Sequence, residues 1–464
     1  MPAVTTQFRP CDLSKAKVRP DGDISSVFDS FSQSAKGLDD SFAQVKKALI
    51  KDPVAVKESW LRLKEDLAAG IAEIRNLGSG AIPQIDFAEL EKISPEQKLN
   101  ISNRGCVVIK NVVPRDVAEG WKEEVIDYIE ANPQTRGFPA KNKVVYELYW
   151  SKSQVKARSH PQLRQSLAFM NSLWHASPET RISLNQNIMY ADRMRIRQPG
   201  DAMFSLGPHA DGGSLERWVD KEYSLCYAPI FEGRYEDFDP YDSTHRVNTN
   251  MEYYESSGSC NIFRSFQGWL AVSEIAPKEG TILFAPLIKI VTAYWMLRPF
   301  FDENDNLNLD SSFPGASPGK GQEFNNQTHP GLSLDDLMVP VPKVQPGDMV
   351  FWHCDMIHSV DPVHQGKLDS SVFYIPSAPL CDVNLKYALT QRETFLKGLT
   401  PPDFPGFPFG PGETTHVGRA TSRDVEDIGG DEALQEFGLS PFKVQPSTSG
   451  EAKMVDCANK TLFY

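Results

Sequence analysis

The segment Gly207-Pro-His-Ala-Asp-Gly-Gly213 contains a metal-ligand pattern in a region predicted to be β structure. It follows a predicted strand over residues 187–197 and the turn dipeptide Pro199-Gly200. His209 and Asp211 are two positions apart, so on a strand both side chains lie on the same face and can share a metal ion. One more histidine would complete a 2-His-1-carboxylate site, which leaves adjacent coordination positions open on Fe(II).

The second histidine-bearing segment, Pro346-Gly-Asp-Met-Val-Phe-Trp-His-Cys-Asp-Met-Ile-His358, is typical of a turn followed by a strand. His353 and His358 are five positions apart and face opposite sides of a regular strand, so only one of them can be the third ligand. His353-Cys-Asp355 repeats the His-x-Asp spacing, and about one such pair is expected by chance in this chain. The strand context, more than the spacing, therefore favours a metal site.

The residues around these segments predict an α+β protein. Asp52 can cap a helix whose first turn suits Pro53, and apolar residues recur at helical spacing until Gly78. Between about 187 and 380, short apolar runs alternate with turn signals, which predicts antiparallel sheets packed as a sandwich or barrel. Two long inserts, at about 220–258 and 302–345, interrupt these runs.

Four regions are expected along the chain. Residues 1–35 predict a loosely ordered lead-in, and 36–180 a helical N-terminal region whose first strand packs on the core. The β core with its two inserts is expected at 181–400. Residues 401–464 are expected to form an extended C-terminal strap, because 401–411 is rich in Pro, Phe and Gly.

Composition indicates a small-molecule partner. The chain has 464 residues and a formal net charge of -13, with no basic stripe interleaved with aromatic residues, so nucleic acid is not an expected partner. No apolar run is long enough to span a membrane, and the first residues lack a secretory signal, so a cytoplasmic location is expected. The seven cysteines form no CxxC pair and are expected to be reduced thiols.

Several motifs resemble a known superfamily. Gly347-Asp, an apolar run, His353, four residues and His358 resemble the distal-histidine strand of phytanoyl-CoA-hydroxylase-like dioxygenases. Further motifs resemble the YbiU-like family within the 2-oxoglutarate-Fe(II) oxygenase superfamily, and the resemblance covers about residues 40 to 420. These motifs are Tyr190-Ala-Asp-Arg-Met-Arg-Ile-Arg-Gln-Pro-Gly-Asp201, Glu216-Arg-Trp218, Phe263-Arg-Ser-Phe-Gln-Gly-Trp269 and Trp352-His-Cys-Asp355.

The resemblance implies a fold and an activity. The fold is a double-stranded β-helix, also called a jelly roll or cupin-like core, with flanking helices that are mostly N-terminal and with the last core strand between the first and the third. The metal is Fe(II), held by His209, Asp211 and His358. The activity is that of a 2-oxoglutarate-dependent dioxygenase, which uses dioxygen to hydroxylate a small molecule.

One departure from the family pattern concerns the cosubstrate. Relatives carry an arginine soon after the distal histidine, and its guanidinium binds the far carboxylate of 2-oxoglutarate in a bidentate fork. In this chain the corresponding stretch holds Asp369, Ser370 and Ser371. Either another cation substitutes, or 2-oxoglutarate is not the cosubstrate. The candidate cations are Arg264, Arg195, Arg197, Arg217 and Lys367.

Two other functions are consistent with the same residues. A non-catalytic jelly roll that binds a metal and senses a small ligand would explain the missing arginine. A zinc hydrolase could use His209, Asp211 and His358 with a bound water. No His-Glu-x-x-His signature supports the hydrolase.

Overall fold

The computed structural model describes residues 7–19, 22, 27–28, 38–254 and 260–463. Helices flank the sheets on both the N-terminal and the C-terminal side of the chain. The helices are α1 Ser41–Leu49, α2 Pro53–Leu77, α3 Pro95–Arg104, α4 Arg115–Ala131, α5 Lys152–Ser159, α6 Pro161–Asn171, α7 Glu216–Val219, α8 Lys221–Leu225, α9 Ala228–Phe231, α10 Ile288–Leu297, α11 Leu334–Leu337, α12 Asp382–Lys397, α13 Ser422–Glu436 and α14 Ser449–Leu462.

The strands form two larger sheets and one strand pair. They are β1 Gln84–Asp86, β2 Cys106–Lys110, β3 Gly137–Phe138, β4 Val145–Tyr146, β5 Ile182–Asn187, β6 Met194–Arg197, β7 His209–Ala210, β8 Phe266–Ala271, β9 Ile282–Phe284, β10 Gln322–Glu323, β11 Val339–Pro340, β12 Met349–His353, β13 His358–Val360, β14 Ser370–Tyr374 and β15 Pro379–Cys381. The larger sheet has the order β1-β2-β12-β8-β14-β6-β4-β3, the smaller β10-β7-β13-β9-β11, and β15 pairs with β5.

The chain passes back and forth between the two larger sheets. Strands β6, β8, β12 and β14 belong to the larger sheet, while β7, β9 and β13 belong to the smaller one. β14, the last of these core strands, lies between β6 and β8, the first and the third, as the sequence resemblance implies. The sheets pack face to face, because Trp352 of β12 contacts the rings of Phe284 on β9 and His358 on β13 at centroid distances of 5.5 Å and 5.3 Å.

Helix α2 follows the sequence prediction closely. The Asp52 side chain accepts hydrogen bonds from the backbone N–H groups of Val54 and Ala55, Pro53 occupies the first turn, and the helix ends before Gly78, whose φ is positive at 53°. The buried face of the helix packs against α10. The stacked rings of Trp60 and Phe301 add an aromatic contact at 4.7 Å.

Residues 401–464 differ from the extended strap that the sequence composition predicts. Helix α13 begins with a capping box formed by Thr421 and Asp424, and helix α14 begins at Thr448, whose side chain accepts from the backbone N–H of Glu451. Met454 and Leu462 lie on the buried face of α14. These caps are themselves sequence signals, whereas the Pro/Phe/Gly-rich stretch that led to the prediction ends before α13 begins.

The lead-in expected at 1–35 lies partly outside the described residues. Its described part is bound to the body of the protein rather than loosely ordered. Phe8 forms an isolated β-bridge with Phe463, and the buried Arg19 lies 3.0 Å from a carboxylate oxygen of Asp403. Such single anchors are spaced too far apart along the chain to produce a periodic sequence pattern.

Two simpler expectations concern cysteines and membranes. All seven cysteines are free, in agreement with the prediction of reduced thiols. Among the described residues, no helix combines the length and the apolar character that crossing a membrane requires.

Candidate metal centre

Strands β7 and β13 bring together two histidines from distant parts of the chain. His209 and His358 are directly opposed in the antiparallel register, and their ring centroids are 4.2 Å apart. Asp211 lies just beyond β7, with its Oδ1 at 3.8 Å from His209 Nε2 and its Oδ2 at 3.7 Å from His358 Nε2. The ligand atoms of the three residues all lie within 4.8 Å of one another.

Both imidazoles are held in the tautomer that suits a metal ligand. Nδ1 of His209 lies 2.7 Å from the carbonyl oxygen of Gly207, and Nδ1 of His358 lies 3.0 Å from that of Met356. Because a carbonyl oxygen only accepts, each Nδ1 carries the proton and donates it, which leaves the lone pair on Nε2. The distances from Nε2 to Asp211 exceed the roughly 3.2 Å of an ordinary hydrogen bond and leave room for an ion.

The charges of the three residues also suit a divalent metal. Burial, together with the neighbouring His209, lowers the pKa of His358 to about 3, so this imidazole is neutral at physiological pH. Burial opposes ionisation of Asp211, but His358, His209 and Arg264 outweigh it and hold the carboxyl pKa below its usual value. Neutral imidazole and ionised carboxylate are the donor forms that first-row divalent metals bind, so the residues fit Fe(II).

Two further side chains orient Asp211. With its amide nitrogen facing the carboxylate, Gln267 on β8 donates to Asp211 Oδ2 at 2.8 Å and accepts from Trp352 Nε1 at 3.2 Å. Arg217 donates at 2.6 Å to the backbone carbonyl oxygens of both Asp211 and Gly213. Gln267 therefore holds the carboxylate of Asp211, and Arg217 holds its backbone.

His353, the other histidine of the second segment, lies away from this centre. It is fully buried, its Nε2 donates to the carbonyl oxygen of Pro240 at 3.0 Å, and its Nδ1 accepts from the backbone N–H of Asp355 at 3.1 Å. Its ring stacks on Trp174 at 4.9 Å. The two histidines thus point to different environments, and the one beside His209 is His358.

A cavity of about 200 Å³ opens beside the three ligands. Of the five candidate cations, Arg195 and Arg264 line this cavity. Arg195 on β6 is buried and donates from Nη2 to the carbonyl oxygen of Gly280 and to Ser370 Oγ, both at 3.0 Å, while its Nε has no hydrogen-bond partner among the described residues. Arg264 lies with its guanidinium over the ring of Tyr190, 5.7 Å from its centroid.

The remaining three cations have other surroundings. The guanidinium of Arg197 donates to the carboxylate of Asp201 at 2.8 Å and to the carbonyl oxygen of Asp361 at 2.7 Å. Arg217 holds the Asp211 loop and the buried Asp355. Lys367 is exposed and is not among the residues that line the cavity. Their donors are satisfied by protein groups or directed to solvent, so these three do not reach the cavity.

Sequence reasoning missed two groups near the ligands. Gln267 shares a strand face with Trp269. It is a lone polar side chain in the buried strand β8, and this pattern could have indicated a residue of the site. Arg246 and Asp355 form a fully buried ion pair, extended by Arg217 and by Tyr227, whose hydroxyl donates to Asp355 at 2.9 Å. No sequence pattern predicts that pair, since its members come from an insert and from the end of a strand.

Comparisons with known proteins agree on one family. A family model described as Gig2-like matches residues 36–439. The uncharacterized protein YbiU of Escherichia coli (strain K12) is 34% identical over 409 residues, which cover 84% of this chain and 94% of YbiU. The crystal structure of GlcNAc Inducible Gene 2 from Candida albicans is 32% identical, with a TM-score of 0.83 over 92% of this chain and 96% of that chain.

A third relative carries a provisional functional description. The crystal structure of a Salmonella typhimurium LT2 protein, provisionally described as an oxidoreductase, is 33% identical to this chain. Its TM-score is 0.74, and the match covers 85% of this chain and 96% of that one. The sequence match over most of the chain and the likeness of the solved structures lead to one conclusion: the chain belongs to the Gig2-like family.

Proposed function

We propose that this protein is an Fe(II)- and 2-oxoglutarate-dependent dioxygenase that hydroxylates a small molecule. The observation that carries the proposal is the convergence of His209, Asp211 and His358, with both Nε2 atoms free of protons and turned toward one carboxylate. The alternation of β6, β7, β8, β9, β12, β13 and β14 between two facing sheets is the arrangement expected of a double-stranded β-helix, and supports the same reading.

His209, Asp211 and His358 would hold the metal, and all three line the cavity in which the substrates would bind. Within the described ranges, the ligand group at this centre consists of these three residues. Fe(II) held there would supply the chemistry by which dioxygen and 2-oxoglutarate convert a substrate C–H to C–OH, with succinate and carbon dioxide as the other products. The walls contributed by Trp269 and Trp352 keep bulk water from the reacting atoms.

Arg195 is the proposed anchor for the far carboxylate of 2-oxoglutarate. Its strand, β6, pairs with β14, where Ser370 stands in the stretch that carries the arginine of relatives. The Arg195 guanidinium reaches across to Ser370 Oγ, so the cation enters the same part of the core from the neighbouring strand. A buried guanidinium that lines the cavity and donates to protein groups through Nη2 alone is suited to binding a carboxylate.

The test combines iron content, 2-oxoglutarate affinity and succinate release. Wild-type protein loaded with Fe(II) should release succinate slowly under air and ascorbate even without the primary substrate, and His209→Ala should not. Arg195→Gln should keep its iron but weaken 2-oxoglutarate binding by about 2 to 5 kcal/mol, the range for orphaning one member of a buried charge pair. Lys367→Gln, which removes an exposed charge outside the cavity, is the matched control.

The sensor alternative makes a different prediction for the same samples. If wild-type protein holds one equivalent of iron yet releases no more succinate than His209→Ala, with candidate substrates present, the protein is a metal-binding jelly roll without oxygenase activity. If Lys367→Gln alone weakens 2-oxoglutarate binding, the assignment of Arg195 as the anchor is wrong, while the proposed dioxygenase activity stands.

A further inference from the structure

Several acidic side chains that line the cavity already have a partner among the described residues. Asp192 accepts from Arg193 at 3.4 Å, Asp403 from Arg19 at 3.0 Å, and Glu147 lies 3.2 Å from Arg136. Glu216 accepts from the backbone N–H of Ser214 at 2.7 Å. Three arginines line the cavity, and while Arg193 is paired with Asp192, neither Arg195 nor Arg264 forms an ion pair within the described residues.

Of Arg195 and Arg264, Arg264 has the fewer hydrogen-bond partners in the described residues. Its guanidinium forms no hydrogen bond or ion pair with any residue in the described parts of the chain, although it is half-buried and faces the cavity. Its contact is the face of Tyr190, whose hydroxyl is already committed to Asp403 at 3.1 Å. The carboxylates of Asp211 and Asp192 are near enough to favour the charged form of Arg264, but neither accepts a hydrogen bond from it. A half-buried guanidinium whose donors have no partner in the described residues is suited to binding an anion.

The two arginines lie on opposite sides of the metal ligands along strand β8. Gln267, which contacts Asp211, marks the level of the metal. Arg264 precedes it in the chain, before β8 begins, whereas Arg195 is aligned through Val372 with Ala271, at the far end of β8. Because the two arginines are placed toward different ends of β8, we expect them to bind different anionic groups. The cavity therefore offers two anion positions, one on each side.

We infer that Arg264 binds a carboxylate of the primary substrate. This inference rests on the proposed oxygenase function, in which Arg195 takes the cosubstrate. A single guanidinium matches a monovalent carboxylate in charge and in its two-oxygen geometry, whereas a phosphate dianion would leave one charge unbalanced. The walls beside Arg264 are aromatic, with the rings of Tyr190 and Phe404 at a centroid distance of 6.1 Å. The substrate class is thus an organic acid with an apolar body.

The binding test uses simple acids and their uncharged analogues as probes. Protein loaded with Zn(II) and saturating 2-oxoglutarate, which cannot turn over, is titrated with benzoate, phenylacetate and hexanoate and with the corresponding primary amides. Wild-type protein should prefer at least one acid over its amide by about tenfold to a hundredfold, as expected for a charged hydrogen bond. Arg264→Gln should lose that preference, Arg264→Lys should restore part of it, and Lys367→Gln should behave as wild type.

The outcomes separate this inference from the proposed function. Arg264→Gln should leave 2-oxoglutarate affinity unchanged, and Arg195→Gln should do the opposite, lowering 2-oxoglutarate affinity while acid preference persists. If no acid is preferred over its amide, or if Arg264→Gln weakens 2-oxoglutarate instead, the substrate assignment is overturned. If Arg264-dependent acid binding occurs in a protein that never forms succinate, the inference holds and the oxygenase function fails. Unfolding curves of each variant verify that the fold is intact.

Discussion

The two His-x-Asp segments have the same sequence pattern and opposite surroundings. In the first, His209 and Asp211 border a cavity, and no lysine or arginine among the described residues forms an ion pair with Asp211. In the second, Asp355 is fully buried and is neutralised by Arg217 and Arg246. The His-x-Asp pattern therefore does not specify a metal site by itself. A carboxylate without a cationic partner beside a neutral imidazole can bind a cation, whereas a carboxylate paired with two guanidinium groups is already neutralised.

The largest expected difference between the segments is in metal binding. His358→Ala should abolish the binding of Fe(II), since a three-ligand site cannot lose a donor cheaply, whereas His353→Ala should keep one equivalent of iron. Metal content after anaerobic loading and gel filtration, together with titration calorimetry, measures this difference. Iron that disappears from His353→Ala and remains in His358→Ala would refute the assignment of the third ligand.

Stability of the metal-free protein should show the reverse order. Asp355→Asn leaves Arg217 and Arg246 buried without a full counter-charge and should lower the free energy of unfolding by about 3 to 5 kcal/mol. Asp211→Asn removes a carboxylate that forms no ion pair with a lysine or arginine in the described parts of the chain, and should change the free energy of unfolding by less than about 1 kcal/mol. Denaturant unfolding of both variants in chelator tests the contrast, and equal losses would show that the two carboxylates are not electrostatically different.

The second segment should also contribute to the pH dependence of stability. Burial lowers the pKa of His353 to about 4, so in the unfolded chain this residue takes up a proton near pH 6.5 that the folded protein does not bind. Its contribution is therefore present at neutral pH and is lost as the pH falls from about 6.5 to 4, by about 2 to 4 kcal/mol. His353→Gln should flatten this part of the stability profile of the metal-free protein relative to wild type; an unchanged slope would mean that His353 titrates normally.

The smallest expected effect concerns the orientation of Asp211. Gln267→Leu removes the amide that donates to the carboxylate and should weaken Fe(II) binding by about tenfold, at the low end of what such supporting groups contribute. Trp352→Phe, which removes the Nε1–H that holds the Gln267 amide and keeps an aromatic ring beside His358, should have a smaller effect in the same direction. Calorimetric titration distinguishes the two, and an unchanged affinity in Gln267→Leu would show that the first segment needs no such support.

Much of the fold and part of the site could be predicted from sequence. Helix α2 was predictable because its cap, its first-turn proline and its apolar face are all local signals. The core strands were predictable as apolar runs, and the position of β14 between β6 and β8 followed from the superfamily resemblance. Helices α13 and α14 were missed although their caps are in the sequence. The reason is that the extended conformation expected of the Pro/Phe/Gly-rich residues 401–411 was expected of the whole C-terminal region.

The sequence by itself determined which residue types were available for a metal: a His-x-Asp on a strand, two later histidines of which one could join it, and no arginine where relatives have one. Only the tertiary structure decided that His358 faces His209, that Arg217 is committed to Asp355, and that Arg195 and Arg264 are left facing the cavity. The physical reason is that a ligand or an anchor is defined by the charge and hydrogen-bond partners around it. Those partners come from strands and inserts that local sequence patterns do not place in space.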